Sequence, residues 1–383
     1  MKDSVPVLTA NFTPLRFVIR GKDDVWAPTL EQTNSGTYDY VKLHRLSTFV
    51  DVGLAPFSLG VSFDGTLLLP ALPQFKDTAK ALDLFNRMLT ELLIGGLYCE
   101  AVAPDDLGYG ELSFNAYSRM HGGRHGPCMT FHHAARNKCL GTFDSIRLLD
   151  PEKITIEELH QCLSEGRRLL GVLGDIPQEQ VLYGTTFYVR KQWSEALIHI
   201  WTTTERLVEL AWKKHVLSGK EPRTKNELTF LRDHRSWTAS TKLELLFQKS
   251  LLPHSTLLLL SEVRKARNEF AHEGIRPTHQ IATKALTVCF QLASLCASDF
   301  SKVDLFYKVV SAVVKRCNPE LYPLKPLRIE DATVWMPLPP LPGDEKWGNR
   351  PYEVIEELVL KPVQLPVDRS AKKTARTSGK QRL

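Results

Sequence analysis

The chain has 383 residues, 43% of them hydrophobic and 24% charged, with a formal net charge of +6. Residues 369–383 alone carry Arg369, Lys372, Lys373, Arg376, Lys380 and Arg382 and no acid, so the rest of the chain balances 43 basic against 43 acidic residues. This fits a globular protein with a real core and excludes a generally nucleic-acid-coating surface; any polyanion site must be local.

The first residues, Met1-Lys-Asp-Ser-Val-Pro-Val, hold no apolar leader, and the longest pure aliphatic run is Leu257 to Leu260. Seven cysteines scattered through a long chain argue against a disulfide framework. The expectation is a reduced, cytoplasmic protein with no membrane segment.

Val5 to Ile19, Leu46 to Val52 and Phe57 to Leu69 are β-favouring runs punctuated by Gly, Pro and Asp. Asp77 to Leu93 switches to helical spacing, with Ala79, Leu82, Phe85, Leu89, Leu92 and Leu93 as its apolar stripe and Gly95-Gly96 as its stop. Tyr98 to about Leu149 reads as further β structure with Gly-rich loops. Thr155-Ile-Glu-Glu158 has capping-box spacing and opens a helix to about Leu170.

From Pro177 the pattern is almost wholly helical. Trp193 to Val216 places Trp193, Leu197, Ile200, Thr204, Leu207, Val208 and Ala211 on one face, with Gly219 as a stop. Shorter amphipathic pieces follow at Asn226 to Asp233 and Thr241 to Leu252. A helix capped by Ser255 ends at Gly274 behind His272, and Thr278 to Phe300 forms another that resumes from Val303 to Val314. Four or five helices with short connections suit an antiparallel bundle. Beyond Cys317 the composition shifts: ten of the 23 prolines fall between Pro319 and Pro366, an arm of polyproline character. The expected class is α+β: a β-rich N-terminal domain with a helix (1–150), a connecting helix (151–176), a helical bundle (177–317), a proline-rich arm (318–368) and a disordered basic tail (369–383).

Cationic, amide and imidazole groups concentrate in Ser261-Glu-Val-Arg264-Lys-Ala-Arg267-Asn268-Glu-Phe-Ala-His272-Glu-Gly274. Arg264, Asn268 and His272 share one helical stripe, and Arg267 sits beside it. Arg267 and His272 are five residues apart, about 140° around a straight helix, so one helix does not aim both at a single atom. A guanidinium suits a phosphate or a phosphorane, and an imidazole exchanges a proton near neutral pH. No carboxylate-rich metal cluster accompanies them, so phosphodiester cleavage here would use no metal or other cofactor. RNA then fits best, because it brings its own 2′-hydroxyl nucleophile. A His beside a helix-ending Gly is also simply a favourable partner for the helix dipole.

Arg267-Asn268-Glu-Phe-Ala-His272 resembles the Arg-Asn-three-residues-His motif of HEPN domains, set late in a helix of a bundle with Gly soon after. Ala196-Leu-Ile-His-Ile-Trp-Thr-Thr-Thr-Glu205-Arg-Leu-Val-Glu209 resembles the first bundle helix of the ApeA-like HEPN branch, in which an acidic residue matching Glu205 faces the motif. The resemblance covers roughly Pro177 to Cys317. It implies a homodimeric endoribonuclease of antiphage defence, abortive infection or toxin type. Arg267 would be the phosphate ligand, His272 the general acid or base and Asn268 the polar second position, with Glu205 and Arg264 in support. The products would be a cyclic phosphate and a 5′-hydroxyl. The N-terminal domain would be a sensor answering a regulatory partner or phage trigger. The alternatives are a non-catalytic nucleotide- or RNA-binding module and an oligomerisation scaffold.

His121, His125, Cys128, His132, His133 and Cys139 crowd into 19 residues, dense enough to test as zinc ligands, although their spacing matches no compact pair and a surface hairpin fits their flanks. Cys289 and Cys296 are expected in the core, and Trp193, Trp201 and Trp212 in the bundle core and rim.

Overall fold

The computed structural model describes residues 4–29, 31–32, 39–137, 152–174, 176–217, 224–233, 235–297 and 303–317. All of them belong to one compact unit, Met1–Pro319. The expected proline-rich arm and basic tail lie outside the described residues, as does Gly219.

The chain is α+β: an antiparallel sheet followed by a helical region. Strands β1 (Ser4–Asn11), β3 (Leu46–Leu54), β4 (Phe57–Ser62), β5 (Thr66–Pro70), β6 (Gly108–Ser113) and β7 (Ser118–Gly123) form a six-stranded sheet in the order β3-β4-β5-β1-β6-β7. Strands β2 (Arg16–Ile19) and β8 (Glu152–Thr155) pair in parallel as a separate ribbon. Register explains the two faces of the large sheet. Leu8 lies opposite Leu69, and Ala10 opposite Leu67, on an apolar face. Asn11 lies opposite Thr66, and Thr9 opposite Gly108, on a polar, glycine-containing face.

Helix α1 (Thr78–Ile94) packs into the main apolar core with Ala10, Leu67 and Leu69. Asp77 caps it by accepting from the Ala79 amide at 3.0 Å. Its buried face centres on Ala81, Phe85, Met88, Leu89 and Leu92 rather than on Ala79 and Leu82. Helix α2 (Pro127–Asn137) occupies a stretch read from sequence as β structure. Its start is held by Asp106, whose Oδ1 accepts from the Met129 amide at 3.0 Å. That cap comes from 23 residues away and leaves no local signature.

Helix α3 (Ile156–Leu173) opens with the expected capping box, Thr155 and Glu158 bonding each other's backbone. It crosses α1 at backbone contact. A Cβ on Gly166 would stand 1.8 Å from the Glu91 carbonyl oxygen, and one on Gly95 1.9 Å from that of Cys162. Two glycines are what this approach requires.

The helical region continues with α4 (Gln178–Val189), α5 (Trp193–Trp212) and a π-helical turn (Lys213–Leu217). It goes on through α6 (Lys225–Arg232), α7 (Ala239–Gln248), α8 (His254–Glu273), α9 (His279–Ala297) and α10 (Val303–Cys317). This is seven described helices where the spacing suggested four or five. Helix α8 starts one residue before the expected cap: Pro253 holds the N-cap position and Ser255 lies inside the helix. The α9 helix is long and apolar enough to cross a membrane, but Ala282, Ala285, Leu286, Val288, Cys289, Leu292 and Cys296 are all buried in the core. That core is continuous from Ala10 in the sheet to Cys317 at the end of α10.

Burial pushes the Cys289 and Cys296 thiols up to about 12, so both are packing residues rather than reactive ones. Trp201 and Trp212 are buried and Trp193 half-buried, as the spacing suggested.

Candidate functional site

Helix α8 is packed unevenly along its length. Thr256, Leu260 and Val263 are its buried residues, all in its first half, and from Arg264 to Glu273 every side chain is half-buried or exposed. Gly274 ends the helix in the left-handed region at φ 72°, its amide donating to the Phe270 carbonyl at 3.1 Å.

The motif occupies this uncovered half. Arg267 is half-buried, and its Nη1 donates to the Asn268 side-chain oxygen at 3.1 Å. Its Nε–H is buried and meets no acceptor among the described residues. A guanidinium offers five donors in a fixed fork, and one left unanswered in a buried position is costly. Asn268 therefore orients the half-buried Arg267 fork. His272 is exposed one turn later, and Arg264 is half-buried one turn before Asn268. Because α8 is regular through Glu273, Arg267 and His272 keep their wide angular separation on this helix.

Two interhelix registers locate the other candidates. On α8 and α9, Lys284 pairs with Glu262, and the Thr256 hydroxyl donates to Gln291 at 3.2 Å, so these helices run antiparallel. On α5 and α9, Thr204 bonds the Cys289 thiol and the Cys296 thiol donates to the Leu207 carbonyl at 3.4 Å, so these run parallel. Glu205 is thus level with the start of α8, roughly 20 Å along the bundle from His272. The chain does not bring Glu205 to its own motif, contrary to the expectation from the resemblance. The Glu205 carboxylate instead accepts from the Trp201 indole at 2.8 Å and lines a separate cleft.

The same registers bring to the motif's end of the bundle residues that the spacing did not single out. His279 opens α9 five residues after Gly274. Its Nε2 lies 3.0 Å from the Tyr188 hydroxyl, which also bonds Thr283 at 2.7 Å. The Trp193 ring lies 4.9 Å from the His279 ring. Trp193, read from sequence as core or rim, is half-buried here. The only signal that could have pointed to His279 was its place just after the turn that follows His272.

The His/Cys-rich segment does not converge. His121 pairs with Glu111 across the β6–β7 hairpin at 3.6 Å. The Cys128 sulfur lies 2.7 Å from the Thr13 hydroxyl, and His132 Nε2–H donates to the Phe12 carbonyl at 2.8 Å. The surface hairpin suggested by the flanks is replaced by helix α2 over Cys128 to His133. Among the described residues no group of three His, Cys, Asp or Glu side chains is placed to hold a metal; Cys139 lies outside them.

Beside these histidines the polar face of the sheet carries a buried ion pair. Asp64 and Arg136 bond through both nitrogen branches, and Arg136 Nη2 also donates to Thr66 Oγ1 at 2.6 Å and Ser62 Oγ at 3.3 Å. Burial alone would raise the Asp64 carboxyl, but the Arg136 guanidinium outweighs it and holds Asp64 well below the usual range. His132 and His44 are both lowered, first by burial; at His44 the Arg136 charge adds to the effect.

No family model, curated protein or solved structure matches the chain.

Proposed function

We propose that the chain is a metal-independent endoribonuclease of the HEPN type, acting as a homodimer in the cytoplasm. The observation that carries this reading is the state of Arg267. Its guanidinium is half-buried, is oriented by its neighbour Asn268, and stands five residues before an exposed His272. A phosphate oxygen suits the part of this half-buried guanidinium that stays at the surface.

In this reading an RNA phosphodiester lies between two α8 helices of a symmetric pair. The 2′-hydroxyl oxygen bonds to phosphorus as its proton passes to one His272. The bond from phosphorus to the 5′-oxygen breaks, and the leaving oxygen takes a proton from the other His272. Arg267 neutralises charge on the non-bridging oxygens. The products are a 2′,3′-cyclic phosphate and a 5′-hydroxyl. A second copy also answers the angular problem, since each helix supplies the groups that the other turns away. The uncovered half of α8 leaves room for that copy.

The sheet half would hold the nuclease in check until a phage-derived or other trigger binds. Glu152 supports this coupling, since it pairs with Arg16 from the sheet half and with Arg316 at the end of α10.

The reading is tested by expressing the intact chain, Arg267→Ala and His272→Ala in cells challenged with phage. Growth arrest and RNA breakdown with the intact chain alone are expected. Identical growth and intact RNA in all three, with the trigger present, would sink the reading.

A further inference from the structure

A cleft of about 1030 Å³ opens between α5, the π-helical turn and the start of α7. It is large enough for a nucleotide-sized ligand, and it is separate from the motif end of the bundle. Its lining has a definite chemistry. Trp237 forms an aromatic wall braced by Trp212, with centroids 4.9 Å apart, and by Phe230 at 5.6 Å. Its indole N–H is buried and meets no acceptor among the described residues.

Across the cleft, Lys242 is 6% exposed and ion-paired with Glu209, tying α7 to α5. Those two charges cancel. The opening is also lined by the cations Arg206 and Lys213 and by the carboxylate of Glu205, which the Trp201 indole holds in place. The N-cap Thr238 and the first residue, Ala239, of the ten-residue helix α7 line the cleft. They add the positive end of a helix dipole.

We infer that this cleft binds a single ribonucleotide. The base lies against Trp237. The Glu205 carboxylate accepts from the ribose hydroxyls. The phosphate sits at the α7 start beside Arg206. A continuous polyanion fits poorly, because Glu205 interrupts the cationic rim; one phosphate with a sugar diol fits both signs. This site also gives Glu205 a role that the motif, roughly 20 Å away along the bundle, does not.

The test is calorimetric titration of the full chain with AMP, 2′,3′-dideoxy-AMP, adenosine and inorganic phosphate. AMP is expected to bind more tightly than either adenosine or phosphate. Arg206→Glu should weaken AMP about tenfold or more, the worth of one charge-assisted hydrogen bond. Glu205→Gln should erase the preference for AMP over its dideoxy analogue. Both residues are exposed, so both variants should fold. Flat titrations with every probe would overturn the inference. So would phosphate binding as tightly as AMP, or AMP binding unchanged by both substitutions. None of these results depends on nuclease activity, so the two proposals fail separately.

Discussion

Arg136 in the sheet half and Arg267 in the bundle half meet opposite surroundings. Arg136 is 4% exposed and donates to Asp64, Ser62 and Thr66, with His44 at 3.5 Å. Arg267 is half-buried, bonds its own neighbour, and keeps a buried Nε–H without an acceptor among the described residues. A guanidinium whose donors meet protein acceptors locks elements together. One that is oriented yet only half-buried can still meet an anion from outside. On the proposed reading Arg136 serves stability and Arg267 chemistry; the sequence marks out Arg267 by its motif, whereas Arg136 lies in a stretch that reads as β structure.

The sharpest way to break that division is to remove each in turn. His272→Ala and Arg267→Ala should lower RNA cleavage by about 10²–10⁴-fold. His272→Ala should change the unfolding free energy by about 0.5 kcal/mol or less, since the side chain is exposed. Arg136→Ala should do the reverse in kind. It strands a buried Asp64 carboxylate and should cost about 3–5 kcal/mol in denaturant unfolding. An Arg136→Ala protein as stable as the parent would remove the basis of the comparison.

Acid titration sharpens it further. The folded state lowers His44, His132 and Asp64, so each contributes stability above its unfolded value and loses it as pH falls. Stability should begin to drop below about pH 6.5 as the unfolded histidines take up protons, and again below about pH 4 as Asp64 does. Hydrogen exchange should show the α2–sheet interface opening before α8 and α9. Uniform loss across both halves would contradict this.

The smallest effect concerns the end of the motif helix. Gly274 sits at φ 72°, and a methyl group added there would have no heavy atom within 4 Å, so Gly274→Ala meets conformational strain but no clash. A cost of about 1 kcal/mol is expected. A larger cost would mean that the turn to α9 depends on more than this one angle.

What could be read from sequence follows the range of the interactions involved. The Asp77 cap, the Thr155–Glu158 box and the Gly274 stop are contacts within a few residues, and each is visible as a local pattern. Helix α2 escapes such a reading because its cap is Asp106, brought in by the fold. The Arg267-Asn268…His272 run is also local and stands out. The expectation that Glu205 faces the motif came from the resemblance alone, because no local pattern fixes the level of one helix against another. The register set by Thr204–Cys289 and Lys284–Glu262 decides that. The Lys242–Glu209 pair and its cleft join residues 33 apart across two helices, and no spacing rule announces them.

The chemistry of the RNA ends distinguishes 2′-hydroxyl attack from hydrolysis by water most directly. The purified chain, incubated with RNA in excess chelator and with trigger-containing lysate where needed, should yield 2′,3′-cyclic phosphate and 5′-hydroxyl termini. Those termini should vanish with His272→Ala and with 2′-O-methylated RNA. Cleavage that leaves 5′-phosphates, or that survives His272→Ala unchanged, would contradict the central claim.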